Sequence, residues 1–212
     1  MKILLPTTES LPAGAPVIGF AGGGFRLSWI LGVAHGMKKY GVPYERCVLS
    51  GASAGAVVAA LLLSGADTAE VRDWIGECPL MLECFASSTG AALKARALMT
   101  SILQRFIPAD MTMYNGKLYI LLCDQHKGLY FINTYRTRDE LIEALLATTH
   151  VPYFSDGSYA YMFRGQPHVD GAWNCSREGV LMCRPSTFKV LIDHSDDGWM
   201  HGDDKKGFYM VR

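Results

Sequence analysis

The chain has 212 residues, half of them hydrophobic and 19% charged, with 20 Lys and Arg balancing 20 Asp and Glu. That length supports one domain with a sizeable core, and zero net charge offers no electrostatic case for a nucleic-acid partner, or for a membrane held by bulk charge alone. The longest apolar run, Ala56 to Leu63, falls far below the ~18 residues a membrane helix needs, and the N-terminal run Ile3-Leu4-Leu5 stops at Pro6, too early for a secretory leader. The expectation is a soluble cytoplasmic protein with at most peripheral membrane contact. The six cysteines (47, 78, 84, 123, 175 and 183) form no Cys-x-x-Cys pair and no zinc spacing, so reduced thiols are expected and neither metal nor cofactor is implied. Only Cys78 and Cys84, which flank a proline, suggest a disulfide, and that would require an oxidising compartment.

Residues 1–15 read as a loose arm, 16–193 as the folded domain and 194–212 as a polar tail. Within the domain, Pro16 to Phe20 predicts a strand that runs into Gly22-Gly23-Gly24-Phe25-Arg26. Leu27, Ile30, Leu31, Ala34 and Met37 then recur at helical spacing. Gly41 and Pro43 end that helix. Arg46 to Leu49 predicts a second strand, followed by a turn at Ser53 and an apolar helix over Ala56 to Leu63, stopped by Gly65. Strand, glycine turn, helix, repeated once, is the start of a parallel α/β sheet. Ligands bind such sheets at the carboxyl ends of the strands, where both glycine turns lie.

Beyond Gly65, Asp67 or Thr68 caps a short helix carrying Val71, Trp74 and Ile75. A helix is expected over 91–106, ending before Pro108. Leu118 to Cys123 and Leu129 to Ile132 predict a hairpin, Arg138 to Thr148 an amphipathic helix, and Tyr159 to Phe163 with His168-Val169 two strands about an Arg164-Gly165 turn. Phe188 to Ile192 is the last predicted strand. The apolar residues of Leu80 to Phe85 and Leu98 to Phe106 suit either a channel wall or plain core, and helical spacing favours core.

Three short constellations carry chemistry. Gly51-Ala52-Ser53-Ala54-Gly55 spells Gly-x-Ser-x-Gly between strand and helix, the form of a nucleophile elbow. Taken alone it is a common pattern, equally suited to packing glycines. Gly22-Gly23-Gly24 lacks the Lys-Ser/Thr ending of a P-loop and the dinucleotide spacing, since position 27 is Leu. Consecutive glycines can instead point backbone N–H groups into one concavity, as an oxyanion hole does. Val169-Asp170-Gly171-Ala172 ends a strand in an aspartate, which reads as an ordinary turn or as the partner of a serine. Aspartate is a poor base at its usual pKa of roughly 3.9, and burial would raise it. Histidine competes for that role: chain order allows Ser53, Asp170 and His194 or His201. His150 and His168 precede Asp170, and His35 reads as a structural residue of the first helix.

In this order, the glycine turn with Arg26, the Gly51-x-Ser53-x-Gly55 elbow and Asp170-Gly171-Ala172 resemble the patatin-like phospholipases. The stretch Ala147-Thr148-Thr149-His150-Val151-Pro152-Tyr153-Phe154 and Asn174 are similar to that family too, so the resemblance covers roughly residues 16 to 175. It implies a three-layer α/β/α sandwich with a mostly parallel sheet. It implies a serine acyl hydrolase with Ser53 as nucleophile, Asp170 as base without histidine, and an oxyanion hole from Gly22, Gly23, Gly24 and Ala54. Arg26, Gly51, Gly55 and Gly171 would support those motifs. The implied partners are glycerolipid or phospholipid substrates, met at a membrane or lipid-droplet surface. Acyl transfer, thioesterase activity, or a fold retained for binding alone are the alternatives. Leu27 departs from the family, which usually has glycine there.

Overall fold

The computed structural model describes residues 15–81, 93–173 and 188–190. The arm before residue 15, the tail, Asn174, Cys84, Cys175, Cys183, His194 and His201 lie outside the described residues.

Strand β1 (Val17–Phe20) leads through a 3-10 turn (Gly24–Arg26) into helix α1 (Leu27–Lys39). Strand β2 (Val48–Gly51) leads through Ser53 into α2 (Ala54–Leu63). Helix α3 (Thr68–Glu77) follows, with the Asp67 carboxylate accepting the Ala69 N–H as its N-cap. Then come α4 (Ala95–Phe106), the hairpin β3 (Leu118–Asp124) and β4 (Gly128–Ile132), α5 (Arg138–Thr148), β5 (Tyr161–Phe163), β6 (Gln166–Val169) and β7 (Phe188–Val190). The expected order of elements holds, with shifted ends. Arg46 belongs to a 3-10 turn (Tyr44–Arg46) rather than to β2. At its other end β2 extends through Ser50 and Gly51, because both find ladder partners on β1. Leu93 and Lys94 form a turn, so α4 begins later than its apolar spacing suggests.

The seven strands form one mixed sheet. β7, β1, β2 and β3 are joined by parallel ladders, while β4, β5 and β6 add antiparallel ones. Alternate residues of the strands face opposite sides. Ile18, Phe20, Leu49, Leu118, Ile120 and Leu122 join the core built with helices α1 to α5. Val17, Val48 and Tyr119 face the other way and are buried as well. A sheet buried on both faces is what parallel ladders require, and it matches the expected mostly parallel sheet flanked by helices. Helix α2 is apolar all round and buried from Ala54 to Leu62, so it occupies the centre of the helical layer rather than its surface.

The register of β3 decides where the site lies. Parallel β2 pairs with Leu118 to Ile120, and antiparallel β6 pairs with Cys123 and Asp124. Strand β4 shares Ile120 with β2 and Cys123 and Asp124 with β6, so it must occupy the opposite edge of β3. Strands β2 and β6 therefore run toward each other along a single edge and stop on either side of Leu121 and Leu122. The chain leaves β2 toward Ser53 and leaves β6 at Asp170.

Candidate active site

Ser53 is the N-cap of α2, with φ 52° and ψ −133°. This is a left-handed conformation that costs a non-glycine residue about 1–3 kcal/mol. Tight packing imposes it. A Cβ at Gly51 would lie 2.6 Å from the Ala56 nitrogen, and one at Gly55 would lie 2.4 Å from both the Phe20 and Ala21 carbonyl oxygens. Glycine at 55 lets the start of α2 press against the end of β1, and glycine at 51 lets it fold back closely on the end of β2, with Ser53 at the turn between them.

Asp170 follows β6 and is 4% exposed; Ser53 is 7% exposed. The Ser53 hydroxyl donates to Asp170 Oδ2 over 2.6 Å, across 117 positions of sequence. Asp170 Oδ1 accepts the Ala172 N–H at 2.8 Å, and the Asp170 N–H donates to the His150 carbonyl at 2.7 Å. Burial pushes the carboxyl pKa up to about 6, against the pull of the Ser53 and Ala172 hydrogen bonds. No cation supports the carboxylate within this set of bonds. It is thus far more basic than an ordinary aspartate and already bonded to the hydroxyl whose proton it could take.

The glycine turn meets the elbow. A Cβ at Gly22 would stand 3.3 Å from Ser53 Cβ and 3.0 Å from Ala172 Cβ. Gly24 adopts φ +51°, and its carbonyl and that of Gly23 accept the N–H groups of Leu27 and Arg26. Among the described residues, the N–H groups of Gly23, Gly24 and Ala54 donate to no protein acceptor. Gly24, Ser53 and Ala54 together border a cavity. The dipole of α2 adds positive potential at the same point. Free N–H groups beside a hydroxyl, at a helix N-terminus, can stabilise an oxygen that gains negative charge.

The cavity runs from Ser53 between α1, α2, α3, α4 and α5. Its walls include Leu27, Ile75, Leu98, Met99, Ile102 and Leu146. Leu98 and Ile102 are therefore both core and wall, a double role that helical spacing cannot separate. Leu27 opens α1 as a buried wall residue, and the glycine turn before it is intact. The lining also includes polar side chains, Arg96, Thr149, His150 and Ser155.

Three of the described histidines, His35, His150 and His168, are committed elsewhere. Arg96 donates to His150 Nδ1 at 3.1 Å, and His150 Nε2 in turn donates to the Ser158 carbonyl at 3.2 Å. Burial and the neighbouring Arg96 guanidinium both lower its pKa. His168 bonds the Tyr130 hydroxyl and the Gln166 carbonyl, and His35 bonds Thr68, as its place on the first helix suggested. Cys47, Cys78 and Cys123 are free, buried thiols. One residue of the site went unassigned in sequence. The Thr148 hydroxyl accepts the Ser53 N–H at 3.0 Å and donates to the Leu121 carbonyl at 2.7 Å. A threonine at a helix end carries no local signal for such a long-range bond.

A strained serine between strand and buried helix, bonded to a buried aspartate beside a glycine turn, defines an α/β protein of the serine-elbow class. The model of the patatin-like phospholipase family matches residues 19–176. The chain belongs to the patatin-like phospholipase family. It is 28% identical over 169 residues to human patatin-like phospholipase domain-containing protein 4, a match covering 73% of this chain and 63% of the relative. It is 29% identical over 130 residues to the mouse omega-hydroxyceramide transacylase, covering 58% of this chain and 21% of the relative. The human transacylase is 27% identical over 180 residues, covering 82% and 33%. The matched parts thus span from about a fifth to just under two thirds of these relatives. No described helix is long and apolar enough to cross a membrane.

Proposed function

We propose that the protein is a serine-dependent acyl hydrolase of glycerolipids or phospholipids, working through Ser53 and Asp170. The observation that carries this reading is the 2.6 Å bond to a buried carboxylate from the hydroxyl of Ser53, which lines a largely apolar cavity. The acyl chain lies along Leu98, Met99 and Ile102 with its ester carbonyl at Ser53. Asp170 takes the hydroxyl proton as Oγ attacks the carbonyl carbon. The tetrahedral oxyanion rests on the N–H groups of the Gly22–Gly24 turn and Ala54. When the intermediate collapses, the alcohol leaves with the proton held by Asp170, and Ser53 carries the acyl group. Water, deprotonated by Asp170, then releases the fatty acid and restores the serine.

Phe25, Leu93 and Tyr153 are exposed, and Phe25 and Phe154 both line the cavity: Phe25 packs edge-on against Phe154, and Leu93 donates its N–H to the Phe154 carbonyl. Such side chains suit transient contact with a lipid surface by a cytoplasmic, peripheral enzyme. The test is turnover of lipid esters by wild type, Ser53→Ala and Asp170→Asn. Each substitution is expected to lower kcat by at least about 10³-fold. Undiminished turnover in either variant sinks the dyad.

Acyl transfer is a second reading, favoured by the two relatives named as transacylases. It shares the acyl-enzyme and differs only in whether water or a lipid hydroxyl accepts the acyl group. Product analysis with and without a long-chain alcohol acceptor separates the two.

A further inference from the structure

We propose that Thr148 is a positioning residue, whose hydroxyl holds the Ser53 backbone in register with Asp170. The inference rests on the hydrolase reading above for its kinetic consequence and on geometry alone for the rest. The edge of β3 is interrupted between the ends of β2 and β6, and the Leu121 carbonyl lies in that interruption without a strand to pair it. Thr148, at the last position of α5 and fully buried, fills the gap. Its hydroxyl has one proton, which goes to the Leu121 carbonyl at 2.7 Å. The oxygen's acceptor side is thereby aimed at the Ser53 N–H, 3.0 Å away. Its own carbonyl accepts the Gly171 N–H at 2.9 Å. A single residue therefore ties together the elbow, the Asp170-Gly171 turn and the strand between them.

Gly171 belongs to the same device. A Cβ there would sit 2.1 Å from the Leu121 oxygen and 2.5 Å from Thr148 Oγ1, directly in the path of the bond. The strained φ of Ser53 needs an external restraint, and its N–H is spent on Thr148 rather than on a substrate oxygen. That leaves the N–H of Ala54, the next residue, free.

The experiment compares Thr148→Val, which keeps the shape and removes the hydroxyl, with Thr148→Ser, which keeps the hydroxyl. The readouts are labelling of Ser53 by a fluorophosphonate probe, turnover of a short-chain p-nitrophenyl ester, and crystal structures, with folding checked by thermal melts. In Thr148→Val, labelling and kcat are expected to fall about 10–100-fold with KM within about twofold, since misplacement of about 1 Å costs that much. Thr148→Ser is expected to restore both to within about threefold of wild type by the same argument. A folded Thr148→Val that labels and turns over at the wild-type rate overturns the proposal. If Thr148→Val does not fold, Thr148→Ala removes the same hydroxyl and carries the test. A wild-type chain that neither labels nor turns over esters sinks the hydrolase reading instead. The Ser53 Oγ–Asp170 Oδ2 distance in the variant crystal still decides the positioning claim: expected beyond hydrogen-bond range, it overturns the claim if it stays as in wild type.

Discussion

Asp170 carries two opposed consequences of burial. Its carboxyl must be ionised to accept the Ser53 proton, and its pKa is pushed up to about 6. On the proposed mechanism, kcat/KM therefore falls tenfold per pH unit below about 6 and levels off above it. A pH–rate profile with no acid limb between pH 5 and 7 contradicts that assignment. The sign for stability is the reverse. A folded-state pKa above the unfolded value means that stability present below the ordinary aspartate range is lost as pH rises through about 6. At pH 7.5 the ionised buried carboxylate costs about 3 kcal/mol at most, because burial holds its pKa up at about 6. Asparagine can accept from Ala172 with its oxygen and donate to Ser53 Oγ with its amide. Asp170→Asn is therefore expected to abolish turnover and raise Tm at pH 7.5, with the gain vanishing near pH 4.

At the scale of elements, the glycines sort into two kinds by what surrounds them. Gly55 sits where α2 touches the end of β1, and a methyl there would overlap two carbonyl oxygens. Gly55→Ala is expected to destabilise by about 1–3 kcal/mol or more, read as a lowered urea midpoint. Gly32 lies inside α1, where an added Cβ would meet nothing within 4 Å. Gly32→Ala is expected to stabilise by about 0.5–1 kcal/mol, because it adds helix propensity without a clash. Equal effects of the two substitutions would contradict the packing account of the elbow. In sequence the two glycines look alike; the Gly-x-Ser-x-Gly frame alone distinguishes Gly55, and the close approach that requires it comes from β1, more than thirty residues earlier.

At the scale of the molecule, the cavity exists because five helices meet over the elbow. Leu98, Met99 and Ile102 of α4 supply one wall, Ile75 of α3 and Leu27 of α1 the others. Met99 is partly buried and unbranched, so a larger ring can occupy the cavity with limited disturbance of the core. Met99→Trp is expected to lower kcat/KM at least about tenfold for long-chain esters while leaving short-chain esters within about threefold, because only the long chain needs the lost volume. Equal losses for both substrates would place the acyl chain elsewhere.

Much of this protein was legible in its sequence. Local chemistry sets the βαβα start, the hairpin, the Asp67 cap, the apolar α2 and the Gly-x-Ser-x-Gly elbow, because each depends on residues within a turn or two of one another. The order of glycine turn, elbow and Asp-Gly was enough to point to the family and to favour Asp170 over histidine. The strand ends were less legible, since Ser50 and Gly51 read as a turn until β1 offers them ladder partners. The tertiary structure alone decided how Ser53 and Asp170 meet. Parallel β2 and antiparallel β6 converge along one edge of β3, and no local pattern encodes an encounter between strand ends so far apart in the chain. It also decided the uncommon basicity of Asp170, which comes from burial, and the place of Thr148, whose hydroxyl fills the gap that those two strands leave.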